Sequence, residues 1–146
     1  MKELNNFKMV IPSKSSNESF ARVAVAAFVS QLDPTIEEIT DIKTAVSEAV
    51  TNCIVHAYKD TIGKIYITVS IREENKVIVK IKDKGCGIED VKKAMEPLFT
   101  TAGEERAGLG FAVMQSFMDN VRVTSKVGKG TTVTMTKTLS RREDEK

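Results

Sequence analysis

The chain has 146 residues, 41% of them hydrophobic and 29% charged, which suits one globular domain with a sizeable core and calls for no second one. Its 22 basic residues are nearly balanced by 20 acidic ones, so the net charge of +2 leaves no electrostatic footprint for direct binding to nucleic acid or to a membrane surface. No apolar run approaches the roughly 18 residues of a membrane span, and the start MKELNNFKMVIPSK lacks a secretory signal, so a cytoplasmic protein is expected.

In chain order, Phe7, Met9 and Ile11 alternate as in a strand that Pro12 and the serines after it end. Asn17 is placed to cap a helix in which Phe20, Val23, Ala24, Ala27 and Phe28 recur at helical spacing, closed by Asp33-Pro34. Thr35 and Glu38 form a capping-box pattern. The helix it opens carries an almost unbroken stripe through Ile42, Ala45, Val46, Ala49, Val50, Cys53, Ile54 and Ala57. Ile65, Ile67, Val69 and Ile71, then Val77, Val79 and Ile81, each line one face of a strand, and the polar REENK between them reads as a hairpin link. A long charged connection, Ile88 to Ala107, precedes the helix GLGFAVMQSFMD and a second hairpin, VRVTS and TTVTMTKTL, joined by VGKG. The tail from 140 to 146 has no apolar residue and is expected to fray. Cys53 and Cys86 suggest neither a disulfide framework nor a zinc site and read as small space-fillers.

Strands with one apolar face need cover on one side only. The expected fold is therefore α/β, a two-layer sandwich with a mixed, mostly antiparallel sheet and helices on one face. Two hairpins leave no place for a doubly wound nucleotide fold. The GxxxxGK[ST] pattern is absent, and neither Gly85-x-Gly87 nor Gly108-x-Gly110 extends to GxGxxG. Either glycine pair alone is explained as well by a tight turn as by a ligand. Their combination with Glu48, Asn52 and His56, at i, i+4 and i+8 along one helix flank, is more telling. A carboxylate and an amide aimed into a cleft suit phosphoryl chemistry, since magnesium accepts an amide oxygen together with phosphates and water. His56 reads as a structural boundary histidine. Loops longer than about 12 to 15 residues are uncommon in compact domains unless they serve a function, which directs attention to the 88–107 connection.

The series EAVTN, DKGCG, GLG and GKGTT resembles, in order, the conserved boxes of the ATP-binding superfamily of gyrase B, the 90-kDa heat-shock chaperone, histidine kinases and MutL. The stretches NESFARVAVAAFVSQLDP, IKTAVSEAVTNCIVHAY, EPLFTT and RAGLGFAVMQSFMD are similar, more narrowly, to the anti-sigma-F factors of endospore formers, a family of serine protein kinases. The resemblance implies a βαβ sandwich in which 88–107 is an ATP lid. It implies that Asp83 binds the adenine amino group, with Thr131 helping through water. Gly85 and Gly87 would let backbone approach the nucleotide, and Gly108 and Gly110 would present amides to phosphates at a helix N-terminus. Asn52 would bind Mg²⁺, Glu48 would act as base or orient the attacking hydroxyl, and Arg106 would neutralise the terminal phosphate. Thr100 and Thr101 fall in the lid. ATP would yield ADP and a phosphoserine on an anti-anti-sigma protein. Glu18 and Arg22 would contact a sigma-F-type factor and the anti-anti-sigma protein, although an ordinary i, i+4 ion pair explains them equally well. Family members are homodimers, to which Phe7, Met9 and Phe20 would contribute. Ala57 replaces a more usual glycine, and AGEER lacks an expected proline. Rival readings are the related switch-protein kinase of a general stress sigma factor and a nucleotide-dependent sequestration module without turnover.

Overall fold

The structure, a computed structural model, describes residues 2–96 and 105–140, the side chains of 105–108 excepted. Its elements are β1 (Glu3–Pro12), α1 (Ser16–Val29) with a 3₁₀ turn Ser30–Leu32, α2 (Ile36–Asn52) running into a π-helical turn Cys53–Ala57, β2 (Lys64–Arg72), β3 (Lys76–Asp83), the short α3 (Val91–Ala94), α4 (Glu105–Phe117), β4 (Asn120–Lys126) and β5 (Gly130–Thr138). The five strands form one sheet in the order β1-β2-β3-β5-β4. Every pairing is antiparallel. The sheet is thus antiparallel throughout, without the parallel pairing that a mixed sheet would include.

One sheet face is buried. Ile65, Ile67, Val69 and Ile71 of β2, Val77, Val79 and Ile81 of β3, and Val133 and Met135 of β5 all point into it, with partly or fully exposed residues between them. The helices cover that face as the period-two pattern requires. In α2, Ile42, Ala45, Val46, Ala49 and Val50 are buried, as the stripe predicts. A fully buried valine or isoleucine contributes about 1.5–3 kcal/mol, so α2 is firmly anchored and gives a rigid base for whatever it carries. No described helix is long and apolar enough to cross a membrane.

The first helix departs from the sequence reading. Its buried residues are Ala21, Val25 and Val29, at i, i+4 and i+8, whereas Phe20 and Val23 stand 56% and 52% exposed. Small side chains let α1 lie close to α2, and the bulkier residues turn outward. Asn17 is not the cap either. The helix begins at Ser16 without a side-chain cap bond, because the Asn17 amide donates instead to the Pro12 carbonyl (3.0 Å). Phe7 and Met9 pack on the core of this same chain, Phe7 with its ring centroid 4.8 Å from that of Phe28.

The capping box at Thr35 and Glu38 is present with both bonds formed. Glu38 also accepts the Ser140 N–H (2.8 Å), so the tail expected to fray from 140 is tied down at its first residue. Residues 141–146 lie outside the described residues. Burial pushes the Glu38 carboxyl up, but hydrogen bonds from Thr35 and Ser140 outweigh it and hold the group below its ordinary value. Stability from a depressed carboxyl is present above its unfolded pKa and fades as pH falls through the folded value. Glu38→Ala is expected to cost about 1 kcal/mol at neutral pH and to flatten the acid side of a plot of melting temperature against pH, measured by circular dichroism.

Candidate functional site

A cleft of about 440 Å³ opens between the end of α2, the ends of β3 and β5, α4 and the loop after β3. At its floor lies Asp83, the last residue of β3, only 5% exposed. One carboxylate oxygen, Oδ1, accepts the N–H groups of Gly85 (2.9 Å) and Thr131 (3.2 Å). The other, Oδ2, accepts the Cys53 thiol at 3.5 Å. Burial pushes the Asp83 carboxyl up, and the donors from Gly85, Cys53 and Thr131 oppose it. Burial and the neighbouring carboxylate raise the Cys53 thiol well above its ordinary value, so it keeps the proton it donates. With Phe111, Val133 and Ala49 as apolar walls, the floor can hold a flat heterocycle that offers one donor to Asp83.

The turn after Asp83 is pinned from several sides. Tyr58 donates its hydroxyl to the Lys64 carbonyl (2.7 Å) and accepts the Lys84 N–H (2.6 Å). The Cys86 N–H reaches the Ala57 carbonyl (3.2 Å), and the Cys86 carbonyl accepts from Gly128 (2.8 Å). The Ser125 hydroxyl takes the Ile88 N–H (2.8 Å) and meets Thr131 Oγ1 (2.8 Å). Gly87 and Gly130 have φ of +78° and +126° and pass so close to the carbonyls of Lys126 and Asp83 that a Cβ would clash. These constraints explain the glycine spacing of DKGCG and GKGTT. Cys86 is exposed and lines the cleft, so of the two cysteines only Cys53 is the buried filler expected, and it also serves as a donor.

α2 carries Glu48 and Asn52 one turn apart, and Asn52 lines the cleft. They meet α4 at Gly110, where a Cβ would lie 3.2 Å from Asn52 Oδ1 and 3.3 Å from Glu48 Oε2. Immediately after Asn52 the helix widens, and the Tyr58 N–H bonds back to the Cys53 carbonyl (3.0 Å). Such π turns frequently accompany functional sites, and this one brings both Cys53 and His56 to the cleft wall. Asn52 Nδ2 is buried without a hydrogen-bond partner among the described residues. Glu48, half-buried, likewise makes no hydrogen bond or ion pair among the described residues. A buried donor left open on Asn52, beside the Glu48 carboxylate, is set up for a ligand, since burial without a partner is costly.

The other anticipated residues fall as follows. Gly108 and Gly110 do not open the helix: α4 starts at Glu105, so they sit inside it, and Gly110 acts by close approach. Of the proposed lid, Ile88 to Glu96 is described, with Lys93 and Ala94 of its short helix region lining the cleft. Thr100 and Thr101 lie outside the described residues, as does the Arg106 side chain. Glu18 and Arg22 form the i, i+4 ion pair at 3.5 Å. They are half-buried and not on an exposed face, for Glu18 also accepts the Ser47 hydroxyl of α2 (2.5 Å). Cys53, Tyr58 and Ser125 had no recognised role in the sequence, because their hydrogen bonds join segments far apart in the chain.

Residues 11–137 match the family described as the histidine kinase-like ATPase domain. An anti-sigma F factor of Caldanaerobacter subterraneus subsp. tengcongensis is 62% identical over 141 residues, which cover 95% of this chain and 98% of that protein. One from Clostridium acetobutylicum is 51% identical over 141 residues, 96% and 98% of the two chains. The chain belongs to the anti-sigma F factor family. Among solved structures, the RsbU and RsbW domains of Rv1364c from Mycobacterium tuberculosis share the fold, with a TM-score of 0.70 and 19% identity over 94% of this chain and 33% of that one. A histidine kinase domain from Erythrobacter litoralis does so at 0.57 and 23%, over 92% and 64%. An ATPase domain of this kind is a nucleotide-binding domain. Among the described residues of this anti-sigma F family member, no group of three or more His, Cys, Asp or Glu could hold a metal ion. The unpaired Asn52 Nδ2 is a donor and suits a phosphate oxygen, while Mg²⁺ would be taken by Oδ1, as one protein ligand among phosphate oxygens and waters rather than as part of a protein cage.

Proposed function

We propose that the protein is an ATP-dependent serine kinase of the cytoplasm that phosphorylates an anti-anti-sigma protein and also binds and inhibits a sigma-F-type factor. The observation that carries the chemistry is the buried, unpaired Asn52 amide in the cleft that Asp83 also lines, with Glu48 Oε2 beside it at Gly110. ATP would lie between Asp83 and Asn52, its adenine amine donating to Asp83 Oδ2 and its phosphates beside the start of α4. Asn52 Oδ1 would hold Mg²⁺, which neutralises phosphate charge when bound. The acceptor serine oxygen forms a bond to the γ-phosphorus as the bond to the bridging oxygen of ADP breaks, and Glu48 takes the serine proton. Arg106, Thr100 and Thr101 are assigned to the lid side of the phosphates, and Gly85, Gly87, Gly108, Gly110 and Thr131 to nucleotide contact.

Glu18 and Arg22 are the proposed contacts for both protein partners. Homodimerisation is proposed through the β1 and α1 surface, where Leu4, Val10, Phe20 and Val23 are exposed, with Phe20 the outward aromatic. The test is incubation with Mg-ATP labelled at the γ position and the anti-anti-sigma protein of the same organism. Label is expected on a serine of that protein, and Asn52→Ala is expected to remove it together with Mg-dependent ATP binding. Tight ATP binding with no transfer to the cognate protein would instead support sequestration without turnover.

A further inference from the structure

A second concavity, of about 280 Å³, opens on the flank of α2 and is lined by Arg22 of α1 and by Thr40, Lys43, Thr44, Ser47 and Glu48. Most of its polar groups are already engaged. Glu18 answers Arg22 and receives the Ser47 hydroxyl, and the Thr44 hydroxyl is turned onto the Thr40 carbonyl (2.9 Å). Lys43 is different. It is half-buried and makes no hydrogen bond or ion pair among the described residues.

Glu48 stands between the two depressions. It lines this groove, and its Oε2 lies at Gly110 beside Asn52, which lines the cleft. A nucleotide in the cleft leaves the groove as the open approach to that carboxylate. Lys43 precedes Glu48 by five residues, about 7.5 Å along the helix axis and about 140° around it, which sets their Cα atoms roughly 9 Å apart. An extended peptide advances roughly 3.3 Å per residue, so a side chain meeting Lys43 belongs to a residue about three positions from the one meeting Glu48. A partly buried lysine without a partner among the described residues suits a carboxylate. Free phosphate or a second nucleotide suits the groove less well, because Glu48 closes one end of it with negative charge. The same charge would repel the phosphoserine dianion once formed and so favour its release.

We propose that this groove seats the acceptor segment and that Lys43 is a specificity-determining residue, pairing with an acidic side chain within about three residues of the acceptor serine. The inference rests on the kinase reading above.

The test is steady-state transfer from Mg-ATP to the anti-anti-sigma protein by the full chain and by its Lys43→Glu, Lys43→Gln and Lys43→Arg variants, with ATP affinity measured beside it. Lys43→Glu is expected to raise KM for the protein acceptor about tenfold or more. Lys43→Gln should raise it less and Lys43→Arg least, with ATP affinity held. An acceptor in which the acid nearest its serine is changed to lysine should be used better by Lys43→Glu than by the unaltered chain. An unchanged KM in Lys43→Glu overturns the inference and leaves the kinase reading standing, and so does a loss matched by equal loss of ATP affinity. No transfer by the unaltered chain overturns both, and is told apart by the absence of label at every acceptor concentration.

Discussion

Glu48→Gln is expected to bind Mg-ATP as the unaltered chain does and to transfer phosphate to the anti-anti-sigma serine about 100- to 10,000-fold more slowly, the range of a positioned general base. The carboxylate makes no hydrogen bond or ion pair among the described residues. Its oxygens are therefore not committed to holding the fold, and the amide has nearly the same volume against Gly110. What the substitution removes is the capacity to take a proton. Loss should fall on kcat with KM for ATP little changed, the pattern of an interaction made in the transition state alone. Isothermal titration with ATP and single-turnover transfer separate the two quantities. Full transfer by Glu48→Gln would remove the base role, and lost ATP binding would show Glu48 to be part of the nucleotide seat.

Asp83→Asn is expected to lower ATP and ADP affinity by about ten- to a hundredfold, since a hydrogen bond to a charged group is worth about 1.5–3 kcal/mol. The amide oxygen can keep the Gly85 and Thr131 N–H groups, but the amide nitrogen then faces the cleft with donors where an acceptor is needed. The fold should tolerate the change. Burial already raises the Asp83 carboxyl, so stability from its protonated form is fully present below the unfolded pKa and is lost as pH rises through the folded one. Nucleotide binding runs the other way: it needs the carboxylate and weakens as pH falls through the raised value. A plot of ATP affinity against pH should show that acid limb in the unaltered chain and lack it in Asp83→Asn. An identical limb in both would assign it to another group.

The parts of the fold that were legible are those in which one physical signal dominates. Strict alternation identified β2, β3 and β5, and a capped stripe of buried side chains identified α2. In α1 the signal is degenerate, because apolar residues occur on nearly every side, and size rather than hydropathy decides that Ala21, Val25 and Val29 go inward and Phe20 outward. The start of α4 at Glu105 was hidden for a related reason: glycines read as a boundary, whereas Gly110 is needed where two helices touch. Asp83, Gly85, Gly87 and Thr131 were legible only through the resemblance of DKGCG and GKGTT to the superfamily's boxes, since a glycine pair by itself is explained as well by a tight turn. Tyr58, Ser125 and the thiol of Cys53 could not be named in advance, since a hydrogen bond across 26, 37 or 30 residues leaves no local pattern.

The position of β5 bears on how such a protein comes into being. The strand that reaches the sheet last in sequence is not at an edge but between β3 and β4, and it supplies Thr131, whose N–H holds Asp83. A nascent chain on the ribosome, even with everything through β4 emerged, would have a gap in its sheet and an unsteadied Asp83. Closure of that gap depends on contacts distant in sequence, the slow class of folding event. The proposed activities, inhibition and phosphoryl transfer, would both await β5, so an interrupted translation product is expected to be inert in binding and transfer assays rather than a partial antagonist.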